Sequence, residues 1–268
     1  MRLLHIKGDG DLILTEDLVR DEDIPPYAIL SHTWEEGQEV TFDDFKIVNT
    51  KEKAGWRKID FCSRQARQSG LHYIWVDTCC IDKSNNTELS EAINSMFRWY
   101  QEAKVCYVYL FDIPSGVPEG NSLTSLRRKP AIRQSRWFTR GWTLQELLAP
   151  VNVEFFSNEG TRLGDKITLE QEIHQVTKIP LAALRRQARL SEFSIEERMS
   201  WAAQRTTSKK EDKAYCLLGI LGVFLPLIYG EGEYHALQRL REEAEKRQGN
   251  QSMVSSPREI TGMNIVRK

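Results

Sequence analysis

Three short apolar runs decide the fold: Tyr27-Ala28-Ile29-Leu30-Ser31, Tyr73-Ile74-Trp75-Val76-Asp77, and Val105 to Phe111. Aliphatic, β-branched and aromatic residues run through each without polar alternation, the pattern of strands covered on both faces. Helix-period segments lie between them. In 56–68, Ile59, Cys62 and Ala66 recur at steps of three and four, and Gly70 sits where a C-terminal stop belongs. In the next segment Asn86 or Thr87 is the expected cap, and Leu89, Ala92, Ile93, Met96, Phe97 and Tyr100 form a wide apolar stripe. Strand, helix, strand, helix, strand implies right-handed crossovers and a mainly parallel sheet flanked by helices. The expected class is therefore α/β.

Working outward, Leu3, Leu4 and Ile6 precede Gly8-Asp9-Gly10-Asp11, and Leu12, Ile13 and Leu14 follow, which predicts an N-terminal β-hairpin. Beyond Asp112 comes a loop with Pro114, Gly116, Pro118, Gly120 and Pro130. A short helix is expected over Trp142 to Leu148, stopped by Pro150, and a further strand over Val151 to Ser157. From about residue 167 the period turns helical, predicting helices near 168–177, 180–188, 194–204, 211–222 and 233–247. Residues 1–165 thus read as the α/β body and 166–247 as a helical region packed on it or completing it. Residues 248–268 lose periodicity and read as a flexible tail or linker.

The chain has 268 residues, with 37 basic and 38 acidic side chains. A formal charge of -1 argues against a nucleic-acid partner held by bulk positive charge. The basic clusters Arg127-Arg128-Lys129 and Lys209-Lys210 read as solvated loop charge. The apolar run Tyr215 to Tyr229 is too short and too broken by Pro226 and glycines for a membrane span. The N-terminus lacks the apolar core of a signal peptide. Five cysteines, an odd number at low density, suggest reduced thiols and a cytoplasmic setting. Adjacent Cys79-Cys80 has no partner at zinc-ligand spacing, so no metal is expected.

Open α/β sheets bind ligands beyond the carboxyl ends of their strands. The first strand ends in Ser31-His32-Thr33-Trp34, the second in Asp77-Thr78-Cys79-Cys80-Ile81-Asp82-Lys83, the third in Asp112. One rim then carries carboxylates, hydroxyls, an imidazole and an indole, a mixture suited to a ligand with hydroxyls and a flat ring. Each also has a plainer role open to it: Asp77 as a turn cap, His32 as a satisfied partly buried histidine, Trp34 as core. Trp142 and Glu146 stand four apart on one helix face, so Glu146 is either a surface residue or a carboxylate beside an indole. Neither G-x-G-x-x-G nor a Walker A stretch occurs, and Gly230-Glu231-Gly232-Glu233 would repel phosphate. A Ser31/His32/Asp77 hydrolase is disfavoured, because neighbours on a strand point to opposite faces and there is no G-x-S-x-G elbow.

Five blocks in order carry a resemblance. They are Tyr27-Ala-Ile-Leu-Ser-His-Thr-Trp34, Tyr73-Ile-Trp-Val-Asp-Thr-Cys-Cys-Ile-Asp-Lys83, Arg140-Gly-Trp-Thr-Leu-Gln-Glu-Leu-Leu-Ala-Pro150, Lys210 to Gly219, and Leu227 to Glu233. Over residues 1–245 the chain resembles the fungal heterokaryon-incompatibility (HET) domain. The resemblance implies a role in fungal allorecognition, in which fusion of incompatible hyphae triggers programmed cell death. Many such proteins carry this domain at the N-terminus of a NOD-like receptor with a nucleotide-binding domain and WD repeats. Residues 248–268 show neither a nucleotide-binding motif nor a repeat. A receptor of that kind, or another allorecognition protein, is an expected partner.

HET domains are in turn similar to TIR domains, flavodoxin-like α/β folds of innate immunity. In TIR enzymes a Ser-x-Trp-Cys-Leu-x-Glu-Leu helix supplies the glutamate needed to cleave NAD+. Here Trp142-Thr-Leu-Gln-Glu146-Leu147 matches, with Thr143 in place of the cysteine and a long Pro/Gly-rich insertion before the helix. The resemblance implies Glu146 as the catalytic residue and NAD+, or a related nucleotide, as substrate, with no further cofactor. Ser31, His32, Trp34, Asp77, Cys79 and Trp142 are the candidate ligand-binding residues. Self-association is expected to activate the site, as in TIR enzymes. The competing expectation is a non-enzymatic signalling module that kills by recruiting partners. An enzyme predicts Glu146, Asp77 and His32 on one cleft; a scaffold predicts them scattered or paired within the core, with a large exposed apolar patch instead.

Overall fold

The computed structural model describes residues 1–8, 10–45, 50–115 and 131–254. Asp9 of the expected hairpin turn, the loop from Gly116 to Pro130 with its Arg127-Arg128-Lys129 cluster, and residues 255–268 lie outside the described residues. Strands β1 (Leu4–Ile6) and β2 (Leu12–Leu14) pair antiparallel as the expected hairpin. The apolar runs become β3 (Ala28–His32), β4 (Tyr73–Trp75) and β5 (Val105–Tyr109). They are followed by β6 (Val153–Phe156) and β7 (Arg162–Asp165). All join one seven-stranded sheet in the order β2-β1-β4-β3-β5-β6-β7.

Within it, β4, β3, β5 and β6 run parallel, and the hairpin and β7 add antiparallel edges. Taken in chain order, the parallel strands lie 2-1-3-4, the flavodoxin-like arrangement. Its ligand crevice opens where the winding reverses, here between the carboxyl ends of β3 and β5. The edge strand β7 carried no apolar alternation in its Arg-Leu-Gly-Asp sequence. Its Gly164 has φ 152°, and the ladder shifts register beside it, between Phe155 and Phe156.

Side-chain alternation sorts the two faces. Tyr109 and Tyr107 of β5 point to α1 (Trp56–Gln68): Phe61 packs on Tyr109, and the Tyr107 hydroxyl reaches the Gln65 carbonyl. On β4, Trp75 faces the other way, against Trp99 and Tyr100 of α3 (Asn86–Glu102). The short α2 (Asp77–Cys80) follows β4 directly. Asn85, one residue before the expected caps, closes α3 by accepting from the Thr87 and Glu88 amides.

The expected short helix is α4 (Thr143–Leu148). Then come α5 (Glu170–Thr177), α6 (Leu181–Leu184), α7 (Ile195–Ser200), α8 (Asp212–Tyr215), α9 (Leu218–Leu221) and α10 (Gly232–Val254). The helix expected over 211–222 is thus two short ones. The helix expected near 233–247 runs on to Val254, into the stretch read as a flexible tail or linker.

The helical region packs on the sheet's α3 face: α9 lies on α3 and on α4. The contact is a backbone approach. A Cβ at Gly219 would lie 2.1 Å from the Phe97 Cβ, far inside any real contact. Replacing Gly219 with Ala must therefore push α9 off α3. Gly219→Ala is expected to cost about 1–3 kcal/mol, as overpacking does, read as a lower denaturation midpoint in urea; an unchanged midpoint would contradict this packing.

Candidate functional site

A cavity of about 340 Å³ opens beyond the carboxyl ends of β3 and β4, between α3 and α4. Its first wall comes from the ends of the parallel strands. His32 ends β3 and Trp34 follows it; Asp77 opens α2 and Lys83 lies just beyond it. Trp142 and Glu146 line it from α4, and Ser208, Lys209, Asp212 and Tyr229 from the helical region. Glu146, Asp77 and His32 therefore share one cleft.

Glu146 is 7% exposed, so it is not the surface residue its spacing also allowed. Alternation sends Ser31 to the α3 face of the sheet, where α4 lies. There Ser31 Oγ donates to Glu146 Oε2 and accepts from Trp137 Nε1 at 2.7 Å. Burial pushes the Glu146 carboxyl up to about 8, against the Ser31 hydrogen bond and aided by the charge of Asp77. Its neighbour behaves oppositely. Burial also opposes ionisation of Asp77, but the Lys83 ammonium at 3.4 Å and His32 Nε2 at 3.3 Å hold it well below the usual carboxylate range. One carboxyl is held neutral near pH 7 and the other charged, a separation typical of acid–base sites.

His32 points to the α1 face, opposite to Ser31. Its Nδ1 lies 3.7 Å from Glu39 Oε2, and Glu39 Oε1 takes the fully buried Lys58 ammonium at 2.5 Å. No Ser-His-Asp relay forms: Ser31 serves Glu146, and His32 serves Asp77.

Trp34 is 46% exposed at the cavity edge, not core, and the Lys83 ammonium sits 3.8 Å from its ring centre. Trp142 is half-buried and donates through Nε1 to Asp212 Oδ2 at 3.1 Å; the Tyr229 hydroxyl donates to Asp212 Oδ1 at 3.0 Å. Burial raises the Asp212 carboxyl. Cys79 is a correction. It lies in the core with its thiol on the Val40 carbonyl at 3.2 Å, and burial raises its pKa well above the ordinary value. The turn of α2 that aims Asp77 at the cavity aims Cys79 inward. Ser31 is likewise fully buried and meets the cavity only through Glu146.

Sequence reasoning did not find Asp212, Tyr229, Lys209, Arg140 or Trp137. The first three stand in or beside the Lys210–Gly219 and Leu227–Glu233 blocks, which marked the family but gave no chemistry. Among the described residues no group of three or more His, Cys, Asp or Glu is placed to hold a metal ion, and all five cysteines are free and buried. No helix among them is long and apolar enough to cross a membrane.

The Glu146 shift has a consequence for stability. The folded state binds its proton more tightly than the unfolded chain, so stability falls as pH rises from about 4.5 towards about 8. The loss has a limiting slope of about 1.4 kcal/mol per pH unit. Glu146→Gln removes it. The melting temperature of the variant is expected to gain on the native protein steadily between pH 5 and pH 8; a constant difference would contradict the raised carboxyl.

Comparison with known proteins agrees with the motif blocks. The family described as "Heterokaryon incompatibility protein (HET)" matches residues 27–115. The Vegetative incompatibility protein HET-E-1 of Podospora anserina is 54% identical over 250 residues, covering 93% of this chain and 18% of that protein. The chain thus spans less than a fifth of the length of the curated relative it matches. No solved structure matches the chain. By that family match and this identity, the chain is a heterokaryon incompatibility (HET) domain protein.

Proposed function

We propose that the chain is a cell-death effector module of heterokaryon incompatibility that hydrolyses NAD+ at the nicotinamide–ribose bond, with Glu146 as the catalytic residue. The observation that carries this reading is the buried Glu146 carboxyl, lining the cavity beyond the strand ends and oriented by Ser31. The grouping of Glu146, Asp77 and His32 on one cleft favours an enzyme over a scaffold.

The reaction breaks the bond between C1′ of the ribose and the pyridinium nitrogen. The bonding pair leaves with nicotinamide, whose ring becomes neutral, so no general acid is required. Positive charge develops on the ribose, as in glycoside cleavage. An ionised Glu146 beside the ribose stabilises that charge and accepts hydrogen bonds from its hydroxyls. Water adds to C1′, gives up a proton to solvent, and leaves ADP-ribose. Trp34 and Trp142 offer flat faces to a ring. Self-association belongs to the same reading: a second copy would cover the open side of the cavity, where Trp34 is exposed.

NAD+ loss is followed by chromatography with purified protein at rising concentration, beside Glu146→Gln. Loss is expected only in the native protein and to steepen with concentration. No loss at any concentration, or equal loss in the variant, would sink the reading. Because the active form is the carboxylate, kcat/KM is expected to rise about tenfold per pH unit below about 8 and level off above it.

A further inference from the structure

The cavity is sorted by charge. Its carboxyls are deep: Glu146 is 7% and Asp212 8% exposed. Its cations stand outside them, with Lys83 and Lys209 exposed and Arg140 half-exposed. Each lysine lies over an aromatic face, Lys83 on Trp34 and Lys209 on Tyr229, the latter at 3.7 Å. The Arg140 guanidinium donates to Ser208 Oγ at 2.9 Å. Among the described residues Lys209, Arg140 and Asp212 make no ion pair within 4.0 Å, and the Lys209 charge acts on Asp212 from beyond that distance. Asp212 takes one neutral donor on each oxygen, from Trp142 and Tyr229, and keeps further acceptor capacity.

We propose that this cavity takes a nucleotide with a cationic ring in one orientation: the ring inward toward Asp212 and Glu146, the phosphate outward between Lys83, Lys209 and Arg140. The inference rests on the reading of the cavity as a nicotinamide-nucleotide site and adds its polarity and the residues that set it. The reverse orientation buries the phosphate against the Glu146 and Asp212 carboxyls, 7% and 8% exposed, where an anion loses its water and gains no cation. The half-buried Trp142 indole, which carries no lysine, offers a stacking face to a flat ring. The volume lies near the lower end of ligand pockets, which run from about 300 to 1,000 Å³. It suits one nucleotide unit, and leaves the adenylate half of a dinucleotide beyond the mouth. Two of the determinants, Lys209 and Asp212, belong to the helical region, which is then a wall of the site.

The test uses the Glu146→Gln protein, so that ligands survive, and calorimetric binding of three probes. Nicotinamide mononucleotide is expected to bind about tenfold more tightly than nicotinamide riboside, which lacks the phosphate. It should bind about tenfold more tightly than its own reduced form, whose ring is neutral. Adding Lys209→Ala should lower the first ratio more than the second; adding Asp212→Asn should lower the second more than the first. Equal affinities for the three probes, or ratios indifferent to both changes, overturn the proposal. Lys209 is exposed, so its arm decides the matter even if the Asp212 variant fails to fold. Cleavage plays no part in these readings. Selective binding without NAD+ turnover in the native protein removes the chemistry and keeps the polarity. Turnover with flat ratios removes the polarity alone.

Discussion

The hydroxyl of Ser31 joins the central strand to the helix that carries Glu146. It accepts from the Trp137 indole and donates its one proton to the carboxyl, which ties the hydroxyl to one geometry. Trp137 is itself wedged edge-on against Phe138 and Phe155. The carboxyl position is therefore fixed by the packing of β6 as much as by its own helix. Inside a medium of low effective dielectric such a chain of donors is stronger than in water, and losing one member strands the others.

That support is needed because α4 is only six residues long, too short to hold itself. Three cations from the helical region supply what the helix lacks. Lys166 Nζ reaches the carbonyls of Leu147 at 3.3 Å and Pro150 at 2.7 Å, and Arg186 reaches that of Ala149 at 3.2 Å, where the helix dipole is negative. At the other end, Arg205 donates to the Arg140 carbonyl and to Thr143 Oγ1, each at 2.8 Å. Hydrogen bonds from charged groups contribute about 1.5–3 kcal/mol each. The region after residue 165 thus shapes the site twice, by gripping the helix of Glu146 and by walling the cavity.

Strands β3, β4 and β5 were legible because burial on both faces leaves an unbroken apolar run. Helices α1 and α3 were legible because one buried face leaves a 3.6-residue period. The rim position of His32 and Asp77 followed from topology, and Glu146 from a motif. What was hidden has a common cause. Asp212 meets Trp142 across seventy positions of chain, and spacing along the chain carries no trace of such a meeting. Cys79 was misplaced because α2 begins at Asp77, so the chain turns inward two residues after the strand end. The edge strand β7, bounded by charge and kinked at Gly164, offered neither an apolar run nor an alternation. Gly219 shows the reverse limit: its residue type was visible, while the aromatic side chain it admits was not.

The five cysteines illustrate how burial sets chemistry as well as packing. Each is walled off from solvent, and burial raises every thiol, Cys80 and Cys216 to about 12. The thiolate, not the thiol, is the reactive species. Peroxide and alkylating agents therefore find almost nothing to attack while the chain is folded. Residues 62, 79, 80, 106 and 216 are spread over α1, α2, β5 and the junction of α8 with α9. Together they record the opening of separate parts of the molecule, and the order in which they become labelled is a map of how it comes apart.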